Sequence, residues 1–176
     1  MKVVKYSGIL CLTMLSLSMS ASLHAVTPLK PAILSPDDLA YSQQQITAKS
    51  PAFIQARDAL VKRADAALKH PLFSVMDKTL VAVSGDKHDY YSFPPYWWPD
   101  PDKKDGLPYI RKDGETNPAA NSDATDKNRL VKMSNDVYTL TLAWYFTQDK
   151  RYAEKAVAQI NSWFLNSQTK MNANLQ

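Results

Sequence analysis

The chain has 176 residues, 45% of them hydrophobic and 22% charged, with four Gly, eleven Pro and a single Cys. A formal charge of +4, to which Lys2 and Lys5 of a removable leader contribute, excludes a nucleic-acid binder working by bulk charge. The one thiol, Cys11, lies in the first apolar run, so its removal excludes disulfides, thiol nucleophiles and Cys-based metal sites from the remainder.

Lys2 and Lys5 precede an apolar stretch from Ile9 to Leu17, and Ser20-Ala-Ser-Leu-His-Ala25 offers small residues before a cut. This pattern predicts a signal peptide over 1–25, too short for a membrane span, and a periplasmic or secreted product with no stable membrane anchoring after cleavage. The alternative is an uncleaved or buried N-terminal anchor. Residues 26–176 suffice for one modest domain, and few Gly with many Ala and Leu favour an all-α body.

After a Pro-containing lead-in over 26–34, Ser35-Pro36-Asp37-Asp38 predicts a helix start, with a capping hydroxyl, Pro at the first helical position and acids facing the dipole. That helix is expected to reach about Lys49. Ser50-Pro51 repeats the device, and Phe53, Arg57, Leu60, Ala64 and Leu68 recur at helical spacing up to His70 and Pro71. Leu72 to Leu80 is expected to hold a short helix, and Thr79 to Val83 a short extended piece. His70, at a helix end, is expected to face the dipole.

From Ser84 to Asp126 a long loop is expected, and loops of this length are usually functional or disordered. Its first part carries Tyr90, Tyr91, Tyr96, Trp97, Trp98 and Tyr109 among Pro94, Pro95, Pro99, Pro101 and Pro108, too much proline for a helix or central strand. Loop aromatics either plug a core or meet a ligand, and Pro lowers the entropy lost on docking. The polar stretch Asn117 to Asn128 is expected to be mobile. Two further helices follow. Met133, Val137, Leu140 and Trp144 share a face over about 127–146; then, after a turn capped by Asp149, Tyr152, Ala156, Ile160 and Trp163 line an antiparallel partner. Trp144, Tyr145, Trp163 and Phe164 are expected in the core, and Lys155 on a solvated face.

Tyr96-Trp-Trp-Pro-Asp-Pro101, Asp105-Gly-Leu-Pro-Tyr-Ile-Arg111, Asp113-Gly-Glu-Thr-Asn-Pro118 and Ala143-Trp-Tyr-Phe146, taken together, resemble the alginate lyase domain family. So do Arg151-Tyr-Ala-Glu-Lys-Ala156, Ser162-Trp-Phe-Leu165 and Met171-Asn-Ala-Asn-Leu175. The resemblance spans about Leu60 to Gln176. It implies a secreted or periplasmic polysaccharide lyase built as an (α/α) toroid, of which this chain forms an N-terminal part of antiparallel helical hairpins. It also implies an anionic polysaccharide partner, no metal and no cofactor. The family's catalytic His with neighbouring Asn, its Tyr and its Arg are implied to follow the Met-Asn-Ala-Asn-Leu segment, so the substrate-binding half is the expected contribution of residues 26–176.

A uronate lyase must lower the acidity barrier at carbon 5 by neutralising the adjacent carboxylate, then remove that proton and expel the oxygen at carbon 4. Tyr96, Trp97 and Trp98 are candidates for stacking on pyranose rings; as neighbours, one Trp is expected in the core and the other partly exposed. Arg111 either pairs bidentately with a substrate carboxylate or forms an ion pair with Asp100, Asp105 or Asp113. His88, beside Asp89, Tyr90 and Tyr91, is either a proton-transfer candidate or a surface histidine. Tyr91 and Asn135 complete the candidate substrate-binding set, Asn135 as a cavity-facing or a plain polar helix position. Two other functions remain open: a non-catalytic acidic-polysaccharide-binding module, and a helical-repeat interaction module.

Overall fold

Serine followed by proline starts each of the first two helices in the computed structural model, which describes residue 31 and residues 33–173. The predicted leader, Cys11, most of the lead-in and the end of the Met-Asn-Ala-Asn-Leu motif lie outside the described residues. Helix α1 is Pro36–Thr47, with the Ser35 hydroxyl accepting from the Asp38 N–H at 3.3 Å. Helix α2 is Pro51–Leu68; Ser50 precedes its proline without a side-chain cap. Among the described residues the only sheet is a two-stranded ribbon, β1 (Trp97–Trp98) against β2 (Ile110–Arg111). Helices α3 (Lys127–Thr147) and α4 (Lys150–Ile160) follow, α4 capped by Asp149 accepting from the Arg151 N–H at 3.0 Å. The body is thus mostly helical, and no helix among the described residues is long and apolar enough to cross a membrane.

Helices α2, α3 and α4 share one core. Leu60, Ala64 and Ala67 of α2 meet Leu140 and Ala143 of α3 and Tyr152 and Ala156 of α4. Alanine at four of these positions lets the backbones approach closely, so burial comes from tight helix contact rather than bulky side chains. The Tyr152 hydroxyl, on an otherwise buried side chain, donates to Asp65 at 2.8 Å. A second cluster gathers Val75, Met133 and Trp163, with Phe73, Tyr90, Leu130, Val137 and Met171 around them. Gln159, fully buried, joins the two: its carbonyl oxygen accepts from the Phe73 N–H at 3.0 Å and its amide donates to the Pro71 carbonyl at 2.8 Å. The strand of chain leaving α2 is thereby stitched to α4.

Several local expectations are corrected. Leu72 to Leu80 holds only a 3-10 turn at Val75–Asp77, because Ser74 and Asp77 close a reciprocal capping box and Lys78 then turns extended. Thr79 to Val83 forms no strand; Leu80 instead bonds the Ala124 carbonyl. The segment before α3 holds a 3-10 turn at Pro118–Asn121, capped by the Asn117 side chain. Trp144 and Phe164 are 38% and 45% exposed, whereas Trp163 is fully buried. The inward phase of α3 runs Met133, Asp136, Leu140, Ala143, which leaves Trp144 rotated by about 100°. A π-turn at Asn161–Leu165 widens the end of α4 and leaves Trp163 inside with Phe164 facing out. His70 faces not a dipole alone but the buried Asp136 of α3, its Nδ1 2.9 Å from the carboxylate, and Lys155 reaches back to the His70 carbonyl.

The long loop is closed by a buried ion pair. Lys78 and Asp126 have no exposed side-chain surface and lie 3.0 Å apart. The Lys78 ammonium also donates to the Val75 carbonyl at 2.8 Å and to the Lys87 carbonyl. Asp126 accepts from the Tyr91 N–H at 2.9 Å through its carboxylate, and its own N–H donates to the Tyr91 carbonyl at 2.8 Å. Burial pushes the Asp126 carboxyl upward, and the Tyr91 N–H and Lys78 oppose that push.

Replacing Lys78→Met should lower unfolding free energy by about 3–5 kcal/mol at neutral pH, because it strands a buried carboxylate. A carboxyl held above its unfolded value stabilises the fold at low pH and loses that contribution as pH rises, so the defect should shrink on mild acidification. Urea denaturation at two pH values measures both; equal stability of variant and parent would refute the clasp.

Candidate substrate-binding site

The aromatic loop becomes a ribbon because its ends are pinned and its middle is turned sharply. Gly106 has φ +71, and a Cβ there would come 2.8 Å from the Pro99 side chain, so only glycine permits the turn around Asp100. The Asp100 N–H bonds the Gly106 carbonyl at 2.9 Å across it. Leu107-Pro108 is a cis peptide. Asn117, 3% exposed, braces the other end: its amide donates to the Trp97 carbonyl at 2.8 Å and its N–H to the Pro95 carbonyl at 2.7 Å.

Register decides what the ribbon presents. Trp97 stands opposite Arg111 and Trp98 opposite Ile110, antiparallel, and the Lys112 N–H continues the ladder to the Tyr96 carbonyl at 3.0 Å. Side chains alternate across a strand, so Trp97 and Arg111 share one face and Trp98 and Ile110 the other, where Lys112 lies over the Trp98 ring. Tyr96 sits in the turn that leads into β1, closed by the Trp97 N–H donating to the Pro94 carbonyl at 3.1 Å. On the first face Trp97 is 38% exposed and Arg111 also reaches solvent. The Arg111 Nε donates to Asp113 at 2.7 Å, while its terminal nitrogens make no hydrogen bond among the described residues. Both partners of this pair are well exposed, so it holds Arg111 only weakly. Trp98 is half-buried and carries the Lys112 ammonium 5.0 Å from its ring centroid.

The remaining candidates disperse. Tyr91 is half-buried at the loop base, its hydroxyl 2.7 Å from that of Tyr109 and its ring edge-on to Phe93. Burial first, and the Tyr109 hydroxyl second, hold its phenol well above the ordinary range, so it stays protonated. His88 has Nδ1 2.6 Å from the Lys170 carbonyl. A carbonyl can only accept, so Nδ1 carries the proton and Nε2 of the neutral ring keeps its lone pair. Asn172 ties this stretch down: its N–H donates to the His88 carbonyl at 2.9 Å and its amide to Asp89 at 2.8 Å and Asp86 at 3.2 Å. Asn135 is exposed on α3, where the helical phase gives the inward position to Asp136. A hollow of about 290 Å³ between Leu72, Ser74, Asn161, Ser162, Asn166 and Thr169 contains none of these residues.

The structure therefore brings Trp97 and Arg111 together, sets Trp98 on the reverse face with Lys112, and leaves Tyr96 in the turn before β1. Sequence reasoning missed Asn117, Lys78, Asp126 and Asn172, which hold the loop. The Asn-Pro pair at 117–118 is a local turn signal for the first; the other three act through partners distant in sequence and leave no local mark.

The sequence model of the alginate lyase family matches residues 74–176. The chain is also similar to the crystal structure of an alginate lyase from Bacteroides ovatus, at 54% identity with a TM-score of 0.65, over 77% of this chain and 35% of that one. It thus spans about a third of that protein's length. No curated protein matches it significantly.

Tyrosinate absorbance on alkaline titration tests the loop base. Tyr91→Phe should leave the amplitude of the ordinary-range tyrosine transition unchanged, because the Tyr91 phenol ionises only above it. Loss of amplitude within the ordinary range would show that Tyr91 is neither buried nor paired as described.

Proposed function

This chain belongs to the alginate lyase family, and on that premise we propose that it holds an acidic uronate polymer for cleavage by β-elimination. The observation that carries this reading is the cross-strand pair of Trp97 and Arg111 on an exposed ribbon face. An indole plane suits the apolar face of a pyranose ring, and a guanidinium with free terminal nitrogens suits the carboxylate of the same or the next sugar. Neutralising that carboxylate is also what loosens the proton at carbon 5, so one contact serves both grip and reactivity.

Tyr96 and Trp98 on the ribbon, Tyr91 at the loop base and Asn135 on α3 belong in our reading to a wider binding surface that extends beyond this pair. His88, with a lone pair on Nε2, is a proton-acceptor candidate of secondary rank. The packing of α2, α3 and α4 is consistent with part of an (α/α) toroid built from helical hairpins. We assign residues 1–25 to a signal peptide and residues 26–176 to the N-terminal portion of the lyase-like domain. The charged start and small-residue exit of the leader support a periplasmic or secreted location. The chemistry on the ribbon belongs to the substrate-holding part of such an enzyme.

Incubation with alginate, followed by the near-ultraviolet absorbance of the unsaturated uronate product, tests turnover; titration calorimetry with alginate oligosaccharides tests holding. The full chain should bind alginate, and Trp97→Ala should weaken binding about tenfold through loss of the stacking plane. Binding without product would limit the chain to holding. No binding by the folded parent chain, or no effect of Trp97→Ala, would overturn the reading.

A further inference from the structure

The ribbon has a second face, and its chemistry repeats that of the first with different residues. Tyr96, in the turn that leads into β1, is 45% exposed, and its carbonyl accepts from the Lys112 N–H. Lys112 stands opposite Tyr96 in the ladder and diagonal to Trp98. Its ammonium lies over the Trp98 ring, 5.0 Å from the centroid, while the side chain remains exposed. Trp98 is itself half-buried, and its indole nitrogen is enclosed without a hydrogen-bond partner among the described residues. The covered face of Trp98 is therefore not an open stacking plane; it is a seat for a cation.

A cation seated on an aromatic ring loses part of its rotamer freedom before any ligand arrives, which lowers the entropic cost of contacting an anion. Lys112 makes no hydrogen bond or ion pair to a carboxylate among the described residues, unlike Arg111 with its Asp113 partner. Its charge is therefore not neutralised by a carboxylate. Tyr96 next to it provides the aromatic plane that Trp98 does not.

We infer that the reverse face of the ribbon is a second anionic-sugar subsite, in which Lys112, held on Trp98, contacts a uronate carboxylate and Tyr96 meets the sugar ring. The inference rests on the proposed uronate-polymer function and extends it from one face of the ribbon to both. A polymer with a carboxylate on every unit can then engage Arg111 on one side and Lys112 on the other as it passes the ribbon edge.

Calorimetry of the full chain with alginate oligosaccharides, and with an uncharged β-glucan oligosaccharide as control, separates the two proposals. Lys112→Met keeps an unbranched apolar stem over Trp98 and deletes the charge; Lys112→Gln is a second deletion should the first perturb the fold, with thermal melting as the check. Both should weaken alginate binding about fivefold, the scale of an exposed charge pair. They should also flatten its dependence on ionic strength, and Lys112→Arg should restore both. Unchanged affinity and salt dependence in Lys112→Met, with Trp97→Ala still impaired, would overturn the second subsite and leave the first intact. Absence of alginate binding by the parent chain would overturn both.

Discussion

A lysine and an aspartate, both shut off from solvent, hold this structure's long aromatic loop shut. Lys78 and Asp126 meet where the aromatic segment begins and ends, and Asp126 grips Tyr91 through both its carboxylate and its backbone N–H. Residues 92–125 are thus a closed loop rather than an open excursion. Closing a chain of that length is entropically unfavourable, and a surface ion pair would offset little of it. A buried pair with its donors satisfied by the Val75 and Lys87 carbonyls is a stronger tie, because undoing it exposes charge inside the protein.

With the base closed, the rest of the loop needs little machinery. Asn117 and the turn at Gly106 align two short strands, and alternation then sorts the aromatics and cations onto two faces. Trp97 with Arg111 and Trp98 with Lys112 are consequences of that register. A slip of one residue would turn each side chain to the other face and separate the pairs. The helical core gives the ribbon a rigid foundation: the Gln159 amide and the Ser162 hydroxyl tie the chain leaving α2 to α4, and Lys78 lies a few residues further along that same chain. Binding groups on a loop are most effective when their backbone is fixed in this way, since less entropy is lost on contact.

Family membership makes this surface intelligible. The region matched by the alginate lyase model begins at residue 74, at the capping box that leads into Lys78, and includes the whole loop, α3 and α4. The parts that organise the ribbon therefore lie within the family's shared sequence. Lys112 differs in kind from the residues first suspected: it is a cation given a fixed address by an aromatic neighbour, and only cross-strand geometry pairs it with Trp98.

Much was legible in the residues alone. Ser35, Pro36, Pro51, Asp149 and the 3.6-residue stripes located α1 to α4 to within a residue or two, because capping and amphipathicity are local effects written in neighbouring positions. The proline and tryptophan content marked the aromatic segment as a loop rather than a helix or central strand, and its motifs pointed to the correct family. The helical stripe misjudged Trp144 and Phe164, since a phase error of one residue and a π-turn are invisible to periodicity. Nor does composition distinguish Trp97 from Trp98, or show that Lys78 seeks Asp126 across 48 positions of chain. Those outcomes depend on which distant groups become neighbours after folding. The sequence by itself determined the helices, the loop and the family; only the tertiary structure decided which aromatic faces outward, which cation stands beside it and what holds the loop closed, because burial and register are properties of the assembled chain.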